Sequence, residues 1–159
     1  MTKNWTRAIT LTVTALIIAI IVGALVSGLD KPVILDEHVT ASWAQVENQL
    51  QRRYDLIPNL VNTVKGYMKH EKDVLTRVTE LRSQWGANAP IPVKIGKANE
   101  LSKALQGMVV KFEKYPSLKA DAQCMALRDQ LEGTENRIAI ERLRYNQAVQ
   151  DFNAYQRTI

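Results

Sequence analysis

Apolar residues follow two different patterns along this chain. From Ala8 to Leu29 there are 22 consecutive uncharged residues, with charged residues on both sides. A helix of that length is roughly 33 Å long, which matches a bilayer hydrocarbon core of about 30 Å. The pattern predicts a membrane anchor at residues 8–29, preceded by a short tail at residues 1–7.

Beyond residue 30 the apolar residues recur at spacings of three and four, which is typical of helices that bury one face. The spacing predicts a first helix over about 33–53 and a second that ends where Gly86 adopts a left-handed conformation. A loop at 86–92 is expected next, then a third helix as far as Tyr115 and a fourth from Pro116 to the end of the chain. The residues expected to be buried are Val39, Trp43, Val46, Leu50, Ile57, Leu60, Val61, Val64, Tyr67, Val74, Val78, Leu81, Trp85, Ala98, Leu101, Leu105, Val109, Phe112, Leu127, Leu131, Ile138, Tyr145, Val149 and Phe152.

Prolines and glycines predict where this pattern is interrupted. A break is expected near Gly28 to Pro32, and a turn or sharp kink near Pro58, with Asp55 capping the new helix. Gly133 lies inside the fourth helix, where glycine costs about 1 kcal/mol against alanine, so we expect a neighbouring backbone to pack closely against it. The predicted fold is all-α: a single N-terminal transmembrane helix followed by an antiparallel four-helix bundle at residues 30–159.

The N-terminal segment could also be a signal peptide, because Val26-Ser27-Gly28 resembles a cleavage site. Apolar regions of signal peptides usually run about 7 to 15 residues, so an uncleaved signal anchor is favoured. Basic residues precede the segment and acidic residues follow it. By the positive-inside rule, this charge difference places the helical domain on the exported side of the membrane.

Small residues recur every four positions within the anchor, at Ala15, Ala19, Gly23 and Ser27. Such a stripe lets two helix backbones approach closely in lipid, which predicts a homo-oligomer. The alternative is that alanine and glycine are simply common in membrane helices.

Charge and cysteine content narrow the functional classes. Residues 30–159 carry 19 basic and 16 acidic side chains, an excess too small to indicate nucleic-acid binding. Cys124 is the single cysteine and can form no internal disulfide. Its position beside Leu127 on one helix face favours a small core residue over a nucleophile.

The sequence contains only incomplete versions of enzyme motifs. His70-Glu71 would need a second histidine at position 74 for a zinc-protease motif, and Val74 is there. Gly96-Lys97 lacks the surrounding residues of a phosphate-binding loop. We therefore expect no catalytic residues, no metal and no cofactor, and we expect the acids and bases between Glu132 and Arg142 to form surface helix pairs.

Arg52, Arg53 and Tyr54 are the strongest candidates for a specific contact. Two arginines beside an aromatic ring at a helix boundary could bind a partner's carboxylate or a lipid phosphate, or could hold the turn together internally. The sequence leaves open both an external contact and an internal structural role.

Several motifs resemble the LemA family, in order and over nearly the whole domain that follows the anchor. They are Ser42-Trp43-Ala44-Gln45-Val46, the run from Arg52 to Val61, Thr63 to Tyr67, His70-Glu71-Lys72, Tyr115-Pro116, the run from Leu131 to Ala139, and Arg144-Tyr145-Asn146. The resemblance implies a bacterial protein with one N-terminal membrane helix and an up-and-down helical domain. LemA-like proteins have no established catalytic activity, and a relative acts in forming magnetosome membranes. The short N-terminus of the family has been suggested to lie outside the cell, which is opposite to the orientation given by the charges.

These observations lead us to expect a non-enzymatic protein of the bacterial inner (plasma) membrane, with a single membrane pass and a helical domain on the periplasmic or extracellular side. It would self-associate and organise, shape or scaffold membrane. The alternative is an adaptor that presents partners to a membrane protease or to an envelope-stress system. The expected partners are the lipid bilayer, further copies of the chain and other membrane proteins.

Overall fold

The computed structural model describes the backbone of residues 2–86 and 88–158, and the side chains of residues 11–23, 30–86 and 88–158. Every regular element in this part of the chain is helical. The elements are α1 (Thr2–Val64), α2 (Lys72–Ser83), α3 (Ile91–Phe112), α4 (Pro116–Ala120) and α5 (Ala122–Gln156). Residues 43–144 form one compact unit, and residues 1–42 with residues 145–159 form another.

The 43–144 unit has helices that alternate in direction, and pairs of side chains show this. Glu47 pairs with Lys94 while Arg53 bonds to Ser102, so residue numbers rise together and α3 runs parallel to α1. Arg82 of α2 bonds to the Tyr54 carbonyl and Trp85, just beyond α2, bonds to Gln51, so numbers run oppositely and α2 returns antiparallel to α1. Asn99 bonds to Arg142 and Ser102 bonds to Glu135, so residue numbers rise along α3 as they fall along α5, and these two helices are antiparallel.

The core of this unit comes from the apolar residues spaced by three and four, as the sequence predicts. Val46, Leu50, Leu60 and Leu101 were predicted and are completely buried, and Met108, which was not predicted, is completely buried as well. Tyr67 is an exception, because it lies in a turn after the end of α1 and is 40% exposed.

The 42 residues at the start of the chain, with residues 145–159, make up the other unit. The large apolar side chains described between residues 11 and 22 are all exposed, and Ala148 is buried. Among the residues described, no helix is both long enough and apolar enough to cross a membrane. The predicted anchor includes positions whose side chains lie outside the described residues, Ser27 among them.

The break predicted near Pro32 and the turn predicted near Pro58 are wrong. This helix runs for 63 residues from Thr2 to Val64, through both Pro32 and Pro58. Asp55 is therefore an interior helical residue and caps nothing. A helix that contains proline loses one backbone hydrogen bond at that position, and it continues when packing and other donors compensate.

The predicted second helix, from Ile57 to Trp85, is also wrong. It is divided by a turn in which the amides of Tyr67 and Met68 both bond to the Val64 carbonyl, at 3.0 and 2.9 Å. The helix after the turn, α2, ends at Ser83, and no glycine described has a positive φ, so Gly86 is not a left-handed cap. The loop before α3 ends at Pro90, since Pro92 falls within the first turn of that helix.

The predicted fourth helix is two helices. Asp121 has an extended backbone between α4 and α5, and its carboxylate accepts the amide of Cys124 at 2.9 Å, which caps α5. The close approach expected at Gly133 is wrong as well, because a Cβ built there has no neighbour within 4 Å.

Candidate functional site: the Arg53 cluster and its groove

Arg53 lies on the apolar face of α1, between the buried residues Leu50 and Ile57, and only 1% of it is exposed. Its Nη1 donates to the Ser102 hydroxyl at 2.7 Å, and its Nη2 donates to the Ala98 carbonyl at 3.0 Å. The guanidinium also forms an ion pair with Glu135. One side chain therefore joins α1, α3 and α5.

The ion pair is asymmetric, because Arg53 is buried and Glu135 is 48% exposed. The Ser102 hydroxyl lies 3.2 Å from Glu135 Oε1, which holds the carboxylate over the guanidinium. Breaking such a pair from the exposed side leaves a charge buried without its counterion, which is strongly destabilising. Within the described residues, Arg53 Nε is buried and has no hydrogen-bond partner.

An open groove of about 480 Å³ lies over this cluster, between α3 and α5. Arg53, Ser102 and Glu135 form its polar part. Its apolar walls come from Leu105, Val109, Val110 and Leu131. An apolar wall beside a few fixed polar groups is the usual composition of a binding cleft.

A second arginine lies close to this cluster. Arg142 donates to Asn99 Oδ1 at 2.8 Å. Burial lowers the pKa of Arg142, the nearby Arg53 charge lowers it further, and Glu135 partly opposes both effects. Two arginines thus share the field of one carboxylate at the α3–α5 contact.

The neighbouring residue, Tyr54, belongs to a separate aromatic cluster. Its ring stacks on Trp85 with centroids 4.5 Å apart and an interplanar angle of 24°. The Nζ of Lys94 lies 5.8 Å from the Trp85 ring centroid and pairs with Glu47. Burial raises the pKa of Tyr54, and the charge of Arg53 partly opposes that increase.

The three residues predicted for a partner or lipid contact are in different environments. Arg52 is exposed and lines a smaller groove of about 260 Å³ with Arg137 and Asp129. Arg53 and Tyr54 are buried at 1% and 2% exposure and have the internal contacts described above. The structure thus brings Arg53 together with Ser102 and Glu135, and it places Arg52 apart from them.

The predicted stripe of small residues is described at three of its four positions. Ala15, Ala19 and Gly23 are exposed on α1, and the side chain of Ser27 lies outside the described residues. A Cβ built on Gly23 has no neighbour within 4 Å. A larger side chain at this position therefore has space in a single copy of the chain.

The residues considered for enzyme chemistry are dispersed. His70 is exposed in the turn after α1, and no group of three metal-ligating side chains occurs in the part of the chain that the structure describes. Cys124 is 2% exposed, which confirms the prediction of a core residue. Burial raises the pKa of its thiol, and the negative charge of Asp121 raises it further.

Glu135 is the functional residue that sequence reasoning missed. Two acids of the 132–142 stretch form helix pairs, but with arginines outside it, since Glu132 meets Arg128 and Glu141 meets Arg144. Glu135 instead reaches across to Arg53. The available signal was the position of Arg53 on an apolar helix face, because a buried arginine requires a carboxylate partner.

Comparison with known families gives one result. The model of the LemA family matches residues 42–159. No curated protein matches the chain.

Proposed function

The chain belongs to the LemA family, and we propose that it is a non-enzymatic protein of the bacterial plasma membrane. In this proposal residues 8–29 anchor it through a single membrane pass. Self-association through the small-residue stripe then lets many copies organise, shape or scaffold the membrane.

The observation that carries the proposal is the exposure of apolar side chains in the first part of α1. Leu11 is 71% exposed, Leu16 62% and Ile20 64%, within an uncharged run of 22 residues. Contiguous apolar surface of this kind is costly in water and marks a region that contacts lipid or protein.

Anchoring is tested by alkaline extraction of membranes from cells that express the full chain. The wild type should stay in the membrane pellet. Arginines at Ile17 and Ile18 should release the protein, because a charge at the bilayer centre costs about 2.5 to 3.5 kcal/mol. The control is Leu143→Arg, which alters an exposed apolar residue outside the segment, 70% exposed against 50% for Ile17 and 60% for Ile18. Wild-type protein in the supernatant would refute the anchor.

Self-association is tested by measuring the mass of the detergent-solubilised chain with light scattering. The wild type should form a discrete assembly, and Gly23→Leu should reduce its mass by blocking the close approach of two helices. Ile17→Phe adds bulk to the opposite face of the same helix and should leave the mass unchanged. A monomeric wild type would remove scaffolding from the proposal.

Orientation is tested with a membrane-impermeant maleimide on intact cells. Cys124 is buried, so it contributes little background labelling. Under the positive-inside orientation, Lys69→Cys should be labelled in intact cells, and Lys3→Cys only after permeabilisation. The reverse result would place the helical domain in the cytoplasm.

The groove over Arg53 favours a second candidate, in which the chain is an adaptor for a membrane protease or an envelope-stress system. Val110 lines this groove and is 66% exposed. Val110→Glu should abolish co-purification of a partner at fixed stoichiometry. Val93→Glu, on the same helix but outside the groove, should leave it intact. A partner lost equally from both variants would argue against the groove.

A further inference from the structure

Two turn regions of the 43–144 unit lie side by side: the turn from Lys65 to Glu71 after α1, and the region from Lys111 to Asp121, which contains the short helix α4. The Tyr67 hydroxyl donates to Asp121 Oδ2 at 3.0 Å. Lys111, in the last turn of α3, pairs with Glu71. These two contacts hold both turns at one end of the unit.

Exposed lysines are concentrated around these turns, and we call them the basic turn surface. They are Lys65, Lys69, Lys72, Lys114 and Lys119. No ion pair involves any of them within the described residues, and Lys65 donates to the Asn62 side chain. Two of the nearby acids, Glu71 and Asp121, already have partners. The Tyr67 hydroxyl carries no charge, so Asp121 still counts as an acid with Asp73 and Glu113, and the five lysines exceed these three carboxylates.

Helix ends account for only some of these lysines. Cations are favoured at helix C-termini, which explains Lys119 in the last turn of α4. Lys72 is the first residue of α2, where the partial positive charge of the helix N-terminus disfavours a cation. Asp73 in the same turn offsets part of this repulsion, and an external anion would compensate further.

The basic turn surface also includes apolar groups. Tyr67 is 40% exposed among the lysines. A shallow groove of about 500 Å³ begins beside Lys65 and Lys72, and Val61 and Leu75 contribute to its lining. Tyrosine and lysine together are typical of surfaces that contact the headgroup region of a bilayer.

We propose that the basic turn surface binds the face of an anionic phospholipid bilayer. The lysines pair with lipid phosphates, Tyr67 enters the headgroup region, and the groove accepts part of a headgroup. A soluble polyanion would pair with the lysines but would leave the exposed ring of Tyr67 and the apolar lining of the groove in water. The proposal does not depend on anchoring by residues 8–29.

The test uses the full chain in phosphatidylcholine nanodiscs, mixed with dense vesicles that are then sedimented. Vesicles that contain phosphatidylglycerol should bind the protein, and added salt should weaken the binding. The combined variant Lys69→Glu, Lys72→Glu and Lys114→Glu should lose at least on the order of 100-fold in affinity, since each lysine contributes about 1 kcal/mol at an anionic surface and each glutamate adds repulsion. The control reverses three other exposed cations, Arg52, Lys103 and Arg137, and should bind nearly as well as the wild type.

Three outcomes would overturn the proposal. They are equal losses in the two triple variants, equal binding to vesicles of pure phosphatidylcholine, and complete competition by soluble polyphosphate at matched phosphate concentration. If the chain does not enter nanodiscs, the anchor of the proposed function fails, and the same vesicles and variants then test this surface with the chain in solution.

Discussion

The Nε of Arg82 lies 3.4 Å from the carbonyl oxygen of Tyr54 and donates to it. In an unbroken helix this oxygen would accept the amide hydrogen of residue 58, but residue 58 is proline and has none. A side chain of α2 thus replaces the donor that Pro58 removes from α1. This contact is one reason why the helix continues through the proline.

The relation between Arg82 and Pro58 predicts a coupled stability effect. Arg82→Ala should lower the free energy of unfolding by about 0.5 to 1.5 kcal/mol, because it leaves the Tyr54 carbonyl with a poorer partner. In a Pro58→Ala background the helix supplies its own donor, so the same substitution should cost much less. Urea unfolding of the four proteins in this cycle measures the coupling. Equal costs in both backgrounds would contradict it.

The asymmetry of the Arg53 ion pair predicts that its exposed member is important for stability. Glu135→Gln should destabilise the protein by about 1 to 2 kcal/mol, because it leaves the buried guanidinium without a counterion while half of the lost carboxylate was already in water. Glu132→Gln changes the neighbouring acid of the same groove and should shift stability by less than about 0.5 kcal/mol. Thermal and urea unfolding distinguish the two variants.

Asp121 predicts a dependence of stability on acid pH. The pKa of Asp121 is lowered by the Cys124 amide first and by the Tyr67 hydroxyl second. A carboxyl whose pKa is lower in the folded state contributes stability above its unfolded pKa, and that contribution is lost as the pH falls below about 4. Asp121→Asn keeps the acceptor oxygen but does not titrate. The free energy of unfolding of this variant should therefore decrease less steeply than that of the wild type as the pH is lowered. Asp129→Asn, within α5, is the matched control, because Asp129 does not accept the Cys124 amide.

Gly133 predicts a stabilising substitution. It is an exposed position inside α5 without positive φ, and a Cβ there meets open space. Gly133→Ala should raise the free energy of unfolding by about 1 kcal/mol. Gly107→Ala, in an equally open position of α3, should act in the same direction. A loss at Gly133 with a gain at Gly107 would mean that another molecule packs against α5.

The apolar spacing predicted the core because burial dominates the energetics of a helical unit. The buried faces of α3 and α5 could be predicted without knowing where these helices end. Their predicted members Leu101, Leu105, Leu131 and Ile138 are buried. Helix ends depend on smaller terms, such as one donor from Arg82 or one cap from Asp121. Such contacts involve residues distant in sequence or particular local backbone conformations, and the spacing of apolar residues contains no information about either.

Only one member of the candidate site, Arg53, could be predicted, because the rest of the site also depends on contacts between residues distant in sequence. Arg53 could be selected from its neighbours in sequence, and the interpretation of an internal role was already open. Its partners Ala98, Ser102 and Glu135 belong to other helices, and their contacts follow from packing. Glu135 is half exposed, so the polar residues around it in the sequence have the pattern of an ordinary helix surface.

Arg53 also constrains the order in which the chain can reach its folded state. Its partners are 45, 49 and 82 residues further along the chain. A chain growing from the ribosome, or passing through an export channel, presents the guanidinium long before Glu135 emerges. Until Glu135 is available, the unpaired charge of Arg53 opposes its burial. Contacts between residues so far apart in sequence also form late and slowly during folding. The helices of the 43–144 unit should therefore close together in one late cooperative step, when residue 135 becomes accessible.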